Sequence, residues 1–276
     1  MERPEACRLI VNADDFGRSA SINTAVVQAH REGILTSTSL MTNEPAVAEA
    51  VRLAGENPRL GVGLHLTLIF GHSALPQSEI PGLVDTQQAF PTDPVKLGFK
   101  YFFQRSVRAQ LEREMTAQFQ RFQATGLPLD HVNGHMHLHM QPVVFGLLMK
   151  NARAWGIRHF RLLREPLRQN LRAADGRILI RALQAFIFCC LSAWQCRVLR
   201  RLNIRVTDAV YGQLQDAHVD ESYVLRLLPQ LKMGIYELYS HPSLDDFKHE
   251  LDALTSPRVK ALVTQQGIQL TRYQDL

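Results

Sequence analysis

The chain has 276 residues, 46% hydrophobic and 21% charged, an ordinary globular composition that excludes a disordered or fibrous protein and supplies one large core. A net charge of +5 and a pI near 9.2 permit an anionic partner such as a membrane surface, but nothing in the pattern of basic residues marks a nucleic-acid surface. Cys7, Cys189, Cys190 and Cys196 make no CxxC zinc pattern and read as reduced thiols. The start, Met-Glu-Arg-Pro-Glu-Ala-Cys, lacks the order of a signal peptide, so the expected compartment is the cytoplasm.

Apolar, β-rich runs at 7–13, 35–41, 61–66, 129–133, 157–162, 208–211, 234–239 and 266–271 alternate with helical patterns, which predicts a parallel sheet. The first helix is expected from Ser21 to Glu32 before Gly33. A longer one runs over 106–125, with Leu111, Met115, Phe119 and Phe122 on one stripe and Gly126 as its stop; Pro142 opens a third, ending near Gly156. Eight strands fit an irregular TIM-like (β/α) barrel, one α/β domain over 1–276, better than a doubly wound sheet, because no Gly-x-Gly-x-x-Gly follows the first strand.

Two segments read as insertions. Residues 70–105 are rich in Pro, Gly and Phe and suit a loop that shapes a pocket. Residues 176–206 hold an uncharged stretch from Ala182 to Cys196, flanked by Arg177 and Arg181 before it and Arg197, Arg200 and Arg201 after it. That stretch is short for a membrane span. It fits either a core helix or an interfacial one, with Phe186, Ile187, Phe188 and Trp194 entering the apolar layer at the inner face of the membrane.

The polar residues at strand ends carry the chemistry. Asp14 and Asp15 end the first run, and His65, His135 and His241 end three others, so a parallel barrel collects all five on one face. Taken alone, the Asp pair also suits a turn. With the histidines it suits a metal hydrolase, one carboxylate on the ion and the other free as a base. In Gly61-Val-Gly-Leu-His-Leu66, Val62, Leu64 and Leu66 share one face and His65 takes the other. The segment Leu129-Asp-His-Val-Asn-Gly-His-Met-His-Leu-His139 is richer still. An extended backbone puts His135, His137 and His139 on one face, whereas Gly134 suggests a turn just before His135. Further on, Ile235, Glu237, Tyr239 and His241 alternate onto one face, where Glu237 either orients a neighbour or forms a structural ion pair.

Asn12-Ala-Asp-Asp-Phe-Gly17, Thr36-Ser-Thr-Ser39, Gly63-Leu-His-Leu66, the run from His135 to His139 and Ser240-His-Pro242 together resemble the YdjC-like carbohydrate deacetylases. The closer resemblance is to the subgroup associated with hopanoid biosynthesis, through Ala74-Leu-Pro-Gln-Ser-Glu-Ile-Pro-Gly-Leu-Val-Asp85, Tyr101-Phe-Phe103, Gln110-Leu-Glu-Arg-Glu114 and Gly126-Leu-Pro-Leu-Asp-His-Val-Asn-Gly-His135. The resemblance implies one divalent metal ion, Mg2+ or Zn2+, held by Asp15, His65 and His135, with Asp14 as general base and His241 as general acid. Asn133, His137, His139 and Glu237 become substrate contacts or supports of the site. Many members carry Asp-Ser where this chain has Asn133-Gly134, so Asn133 must act by hydrogen bonding alone. The expected reaction is hydrolysis of the N-acetyl group of an amino sugar, the implied substrate an N-acetylglucosaminyl hopanoid. The alternatives are a soluble chitooligosaccharide substrate and, outside catalysis, a sugar- or lipid-binding protein. Peripheral membrane contact and a homo-oligomer are compatible partners. A phosphohydrolase is disfavoured, since no glycine-rich phosphate loop or convergent arginines adjoin the motifs.

Overall fold

The computed structural model describes residues 6–173 and 178–276, without the side chains of 178–182. Arg177 and the side chain of Arg181, two of the flanking arginines, lie outside the described residues. In chain order the elements are β1 (Cys7–Phe16), α1 (Ala20–Glu32), β2 (Ser37–Leu40), α2 (Val47–Gly55), β3 (Gly61–Leu66), α3 (Pro94–Phe103), α4 (Arg105–Ala124) and β4 (Val132–Gly134). They continue with α5 (Pro142–Asn151), α6 (Leu167–Ala173), α7 (Ile178–Arg201), β5 (Ala209–Tyr211), α8 (Glu221–Leu227), β6 (Gly234–Ser240), α9 (Lys248–Thr255), α10 (Pro257–Gln265) and β7 (Gln269–Leu270).

The sheet order is β4-β3-β2-β1-β6-β5, every pair parallel, with β7 laid beside the start of β1. The run expected as a strand at 157–162 makes only single bridges. It alternates its hydrogen bonds between Val132 on one side and Arg205 on the other, joining β4 to the chain that enters β5. The strands thus curl into an irregular α/β barrel, as the alternation of patterns predicts. Two local features differ. The helix opened by Pro142 stops at Asn151, and turns carry the chain to Gly156, whose φ is +70°. The histidine run is neither extended nor a regular helix: 135–140 is a tight 3-10 turn with Met136 and His137 at positive φ.

Local chemistry explains the well-formed elements. Ser19 caps α1 by accepting from the Ile22 amide at 3.2 Å. Gln141 caps α5, where Pro142 occupies a first-turn position that needs no donor. Outward-facing Leu9, Val11, Val62, Leu64 and Leu66 bury against the helices, while the barrel interior is unusually polar. Instead of layered branched aliphatics, it holds Ser37, Asp130, His131, Asn133, Arg161 and Glu237, all at 0 or 1% exposure. Gly61 and Gly63 make room for this filling: a Cβ at Gly63 would stand 2.5 Å from the His131 ring, and one at Gly61 2.8 Å from the Asp130 carboxyl. The chain end plugs the far side. Tyr273 stacks on His131, donates its hydroxyl to Glu237, and is followed by the Gln274 amide on Asp130 at 2.9 Å.

Candidate active site

Neighbouring residues of a strand point to opposite faces, so Asp14 and Asp15 can share a site only if β1 departs from regularity. It does. Between the pairs Ala13–Thr38 and Phe16–Leu40, β1 holds one more residue than β2, and Asp15 adopts φ +65°. This bulge turns both carboxylates toward the strand ends. The Arg18 guanidinium takes Asp15 Oδ2 at 2.9 Å and leaves Oδ1 facing inward.

Asp15 Oδ1 is buried and accepts no hydrogen bond among the described residues, yet His135 Nδ1 stands 3.0 Å from it and His65 Nε2 3.2 Å, with 3.3 Å between the two nitrogens. The tautomer of His65 follows from its far side. Asn133 points its amide Nδ2 at Asp14 Oδ1, at 3.2 Å, and so offers its carbonyl to His65 Nδ1 at 2.7 Å. In the neutral ring Nδ1 therefore carries the proton and Nε2 presents a bare lone pair. The Asp15 oxygen, the His65 lone pair and His135 Nδ1 converge on one point, as ligands of a shared cation do. Donors about 2.1 Å from one ion, on adjacent coordination positions, stand about 3.0–3.4 Å apart, which matches the separations here. Asp15, His65 and His135 thus fit a divalent metal, and they form such a group among the described residues.

Asp14 lives in a different environment. Its Oδ1 accepts from Asn12 at 2.8 Å, Ser39 at 2.8 Å and Arg161 Nη2 at 2.8 Å, while Oδ2 accepts from Arg161 Nη1 at 2.6 Å. Burial alone would favour the neutral acid. The Arg161 guanidinium and His65 outweigh it and hold Asp14 far below the usual carboxylate range. Arg161 is itself fixed by Glu237, from Nε at 2.8 Å and Nη2 at 2.7 Å, and lies 4.5 Å from the centre of the Tyr239 ring. No convergent arginines are expected at the motifs, yet the fold brings Arg161 to Asp14 as Arg18 meets Asp15. Both edges of Arg161 are taken by carboxylates, so it is a clamp rather than a phosphate site.

Across the cavity, His241 has Asp216 Oδ1 3.7 Å from its Nδ1, and its amide donates to Glu250. Burial disfavours the imidazolium, but Asp216, Glu250, Asp15 and Asp14 raise the His241 pKa above the ordinary histidine value. Asp216 is absent from the sequence-derived set, though it follows the end of the 208–211 run as the other site residues follow theirs. His137 lines the cavity, its Nε2 2.9 Å from the Tyr239 hydroxyl. His139 does not: wholly buried, with burial and Arg161 lowering its pKa to about 3, it donates from Nε2 to the Arg161 carbonyl at 3.1 Å. Glu237 lies beneath Arg161 and away from the cavity lining. The cavity, about 500 Å3, is bounded by Asp14, His65, His135 and His241, by Gln184 and Phe188 of α7, and by the 213–218 loop.

A barrel with a carboxylate–imidazole metal triad, a clamped second carboxylate and a histidine of raised pKa facing one cavity is built as a metal-dependent hydrolase. The chain belongs to the YdjC-like protein family, whose model matches residues 8–265. A chitooligosaccharide deacetylase of Proteus mirabilis is 31% identical over 97% of this chain and 98% of its own. A carbohydrate deacetylase of Geobacillus stearothermophilus is 28% identical over 99% and 98%. Another, from Brevibacillus brevis, is 40% identical, but over 54% of this chain and 57% of that one. Among solved structures, an Enterococcus faecalis V583 protein assigned to cellobiose-phosphate cleavage superposes with a TM-score of 0.75 at 24% identity, covering 98% of this chain and 99% of that one; the likeness bears on the fold.

Proposed function

We propose that the chain is a divalent-metal-dependent carbohydrate deacetylase that hydrolyses the N-acetyl group of an amino sugar to acetate and a free amine. The observation that carries this is the division of labour between adjacent carboxylates: Asp15 Oδ1 belongs to the metal triad, and Asp14 is clamped outside it. A bound divalent ion would polarise the acetyl carbonyl and lower the pKa of a water.

The chain's own residues do the rest. Asp14 Oδ2 accepts one hydrogen bond among the described residues, so it keeps a lone pair for the proton of the attacking water. Arg161 keeps that carboxylate ionised and still. Asn133 ties the two halves together, fixing the His65 ring through Nδ1 and donating to Asp14. His241, its pKa raised by its carboxylate neighbours, is placed to give its proton to the departing nitrogen. The acid and the base begin in the opposed protonation states that amide hydrolysis needs.

The finer reading is that the sugar is lipid-linked, an N-acetylglucosaminyl hopanoid, as the subgroup resemblance implies. Supporting it, α7 lines the cavity with Phe188, and Phe70 and Met136 lie exposed near His135. The names of the relatives favour the second reading, a soluble chitooligosaccharide. Acetate release by the purified, metal-loaded protein on the glycolipid and on N-acetylchitooligosaccharides separates the two. Preference for the soluble sugar overturns the lipid assignment, and release from neither overturns the deacetylase.

A further inference from the structure

Helix α7 divides into two stripes. Phe188, Ser192, Gln195, Cys196 and Leu199 turn inward, Gln195 donating to the Met140 carbonyl at 2.7 Å. The opposite stripe, Leu183, Phe186, Ile187, Cys190 and Trp194, is exposed, Phe186 by 67%, and continues into exposed Arg197 and Arg201. An outward face normally carries the polar residues. A second such surface lies on α3, where Phe99, Phe102 and Phe103 are exposed and pack on one another. The two helices grip the same turn: Gln141, at its end, donates to the Gly98 carbonyl of α3 at 3.3 Å, next to the Met140 carbonyl held by α7. That turn carries His135 and His137.

The charge is as uneven as the apolarity. Residues 94–111 and 177–207 together hold ten Lys and Arg and no Asp or Glu. The whole chain carries only +5, so the remainder carries −5. Among the described residues no helix is long and apolar enough to cross a membrane.

We propose that the exposed faces of α3 and α7 seat the protein on the surface of an anionic lipid bilayer. The aromatic and aliphatic side chains enter the upper acyl layer and the surrounding Lys and Arg meet lipid phosphates. A second copy of the chain is the poorer occupant, because it would set two like-charged basic faces together. The purpose of the docking rests on the proposed function: α7 is a wall of the active-site cavity, so seating its outer face holds the cavity close to the bilayer that carries a lipid-linked sugar.

The test is flotation of the full chain with vesicles of phosphatidylcholine alone and of phosphatidylcholine mixed equally with phosphatidylglycerol. Turnover of a soluble N-acetylchitooligosaccharide and sedimentation without lipid are followed in parallel. Wild-type protein is expected to float with the anionic vesicles and far less with the neutral ones. The pair Phe186→Ser with Ile187→Ser, and separately Arg200→Glu with Arg201→Glu, should each lower the floated fraction about tenfold and leave soluble-sugar turnover intact. Wild-type protein that floats with neither vesicle overturns the proposal. So do variants that float like wild type, or a lipid-free dimer that the Phe186 variant abolishes without any vesicle binding. Flotation as expected with no turnover of either sugar supports the docking surface and rejects the deacetylase.

Discussion

Arg161 spans both oxygens of Asp14 and also bonds Glu237, so its removal leaves two carboxylates uncompensated in a closed interior. Breaking a buried pair in this way costs about 3–5 kcal/mol. Urea denaturation of Arg161→Met should show a loss of that size, with acetate release down about 100-fold or more; an unchanged midpoint would refute the clamp. Because Asp14 has its pKa depressed by folding, its stabilisation is fully present above the ordinary carboxylate value and is lost as pH falls through that value toward the folded pKa. The gap between wild type and Arg161→Met should therefore narrow on acidification. His241 moves the other way. Its raised pKa keeps the acid protonated to higher pH, so kcat/KM falls as pH rises through that pKa. Asp216→Asn removes the facing carboxylate and should shift the alkaline limb to lower pH; a limb that stays put contradicts the pairing. Asp14, Asp15, His65, His135 and His241 are legible in the sequence because each stands where an apolar run stops. Arg161 is not, since it sits among Arg158, His159 and Arg164 with nothing local to distinguish it, and its partner Asp14 is 147 residues away.

At the scale of elements, two local irregularities build the site. The β1 bulge brings two consecutive carboxylates together, and the left-handed residues of the histidine turn send three histidines to three different places. Period-two alternation reads the strands well: Glu237 and Tyr239 do share the inward face of β6, and His65 does oppose Val62, Leu64 and Leu66. It fails for His135–His139, where the backbone leaves the extended region, and Gly134 is the one local sign of that departure. Met136, at φ +49°, provides the check. A β-branched residue is strained there, so Met136→Val should lose about 1–2 kcal/mol in thermal unfolding, while Met136→Gly, free of that strain, should not. Equal stability of the two variants would mean that the turn is not held in this conformation. The 157–162 run shows the opposite failure of pattern reading. Its composition suits a strand, but it serves two neighbours with alternate hydrogen bonds and pairs fully with neither.

For the whole molecule, the polar interior has a consequence for stability. An ion held by the buried triad binds the folded chain and not the unfolded one, so a chelator should lower the melting temperature and added Zn2+ or Mg2+ restore it. Metal at 100 times its Kd contributes about 2.7 kcal/mol to the folded state. A melting curve indifferent to the chelator would contradict metal binding by the triad. The barrel, its parallel order and its catalytic end follow from alternating patterns along the chain, whereas the plug formed by Tyr273 emerges only once distant segments meet. The most direct test of the central division of labour is acetate release by Asp14→Asn protein whose metal content is measured in the same sample. One divalent ion per chain with turnover reduced about 100- to 10,000-fold is the predicted result; near wild-type turnover at full metal occupancy would contradict it.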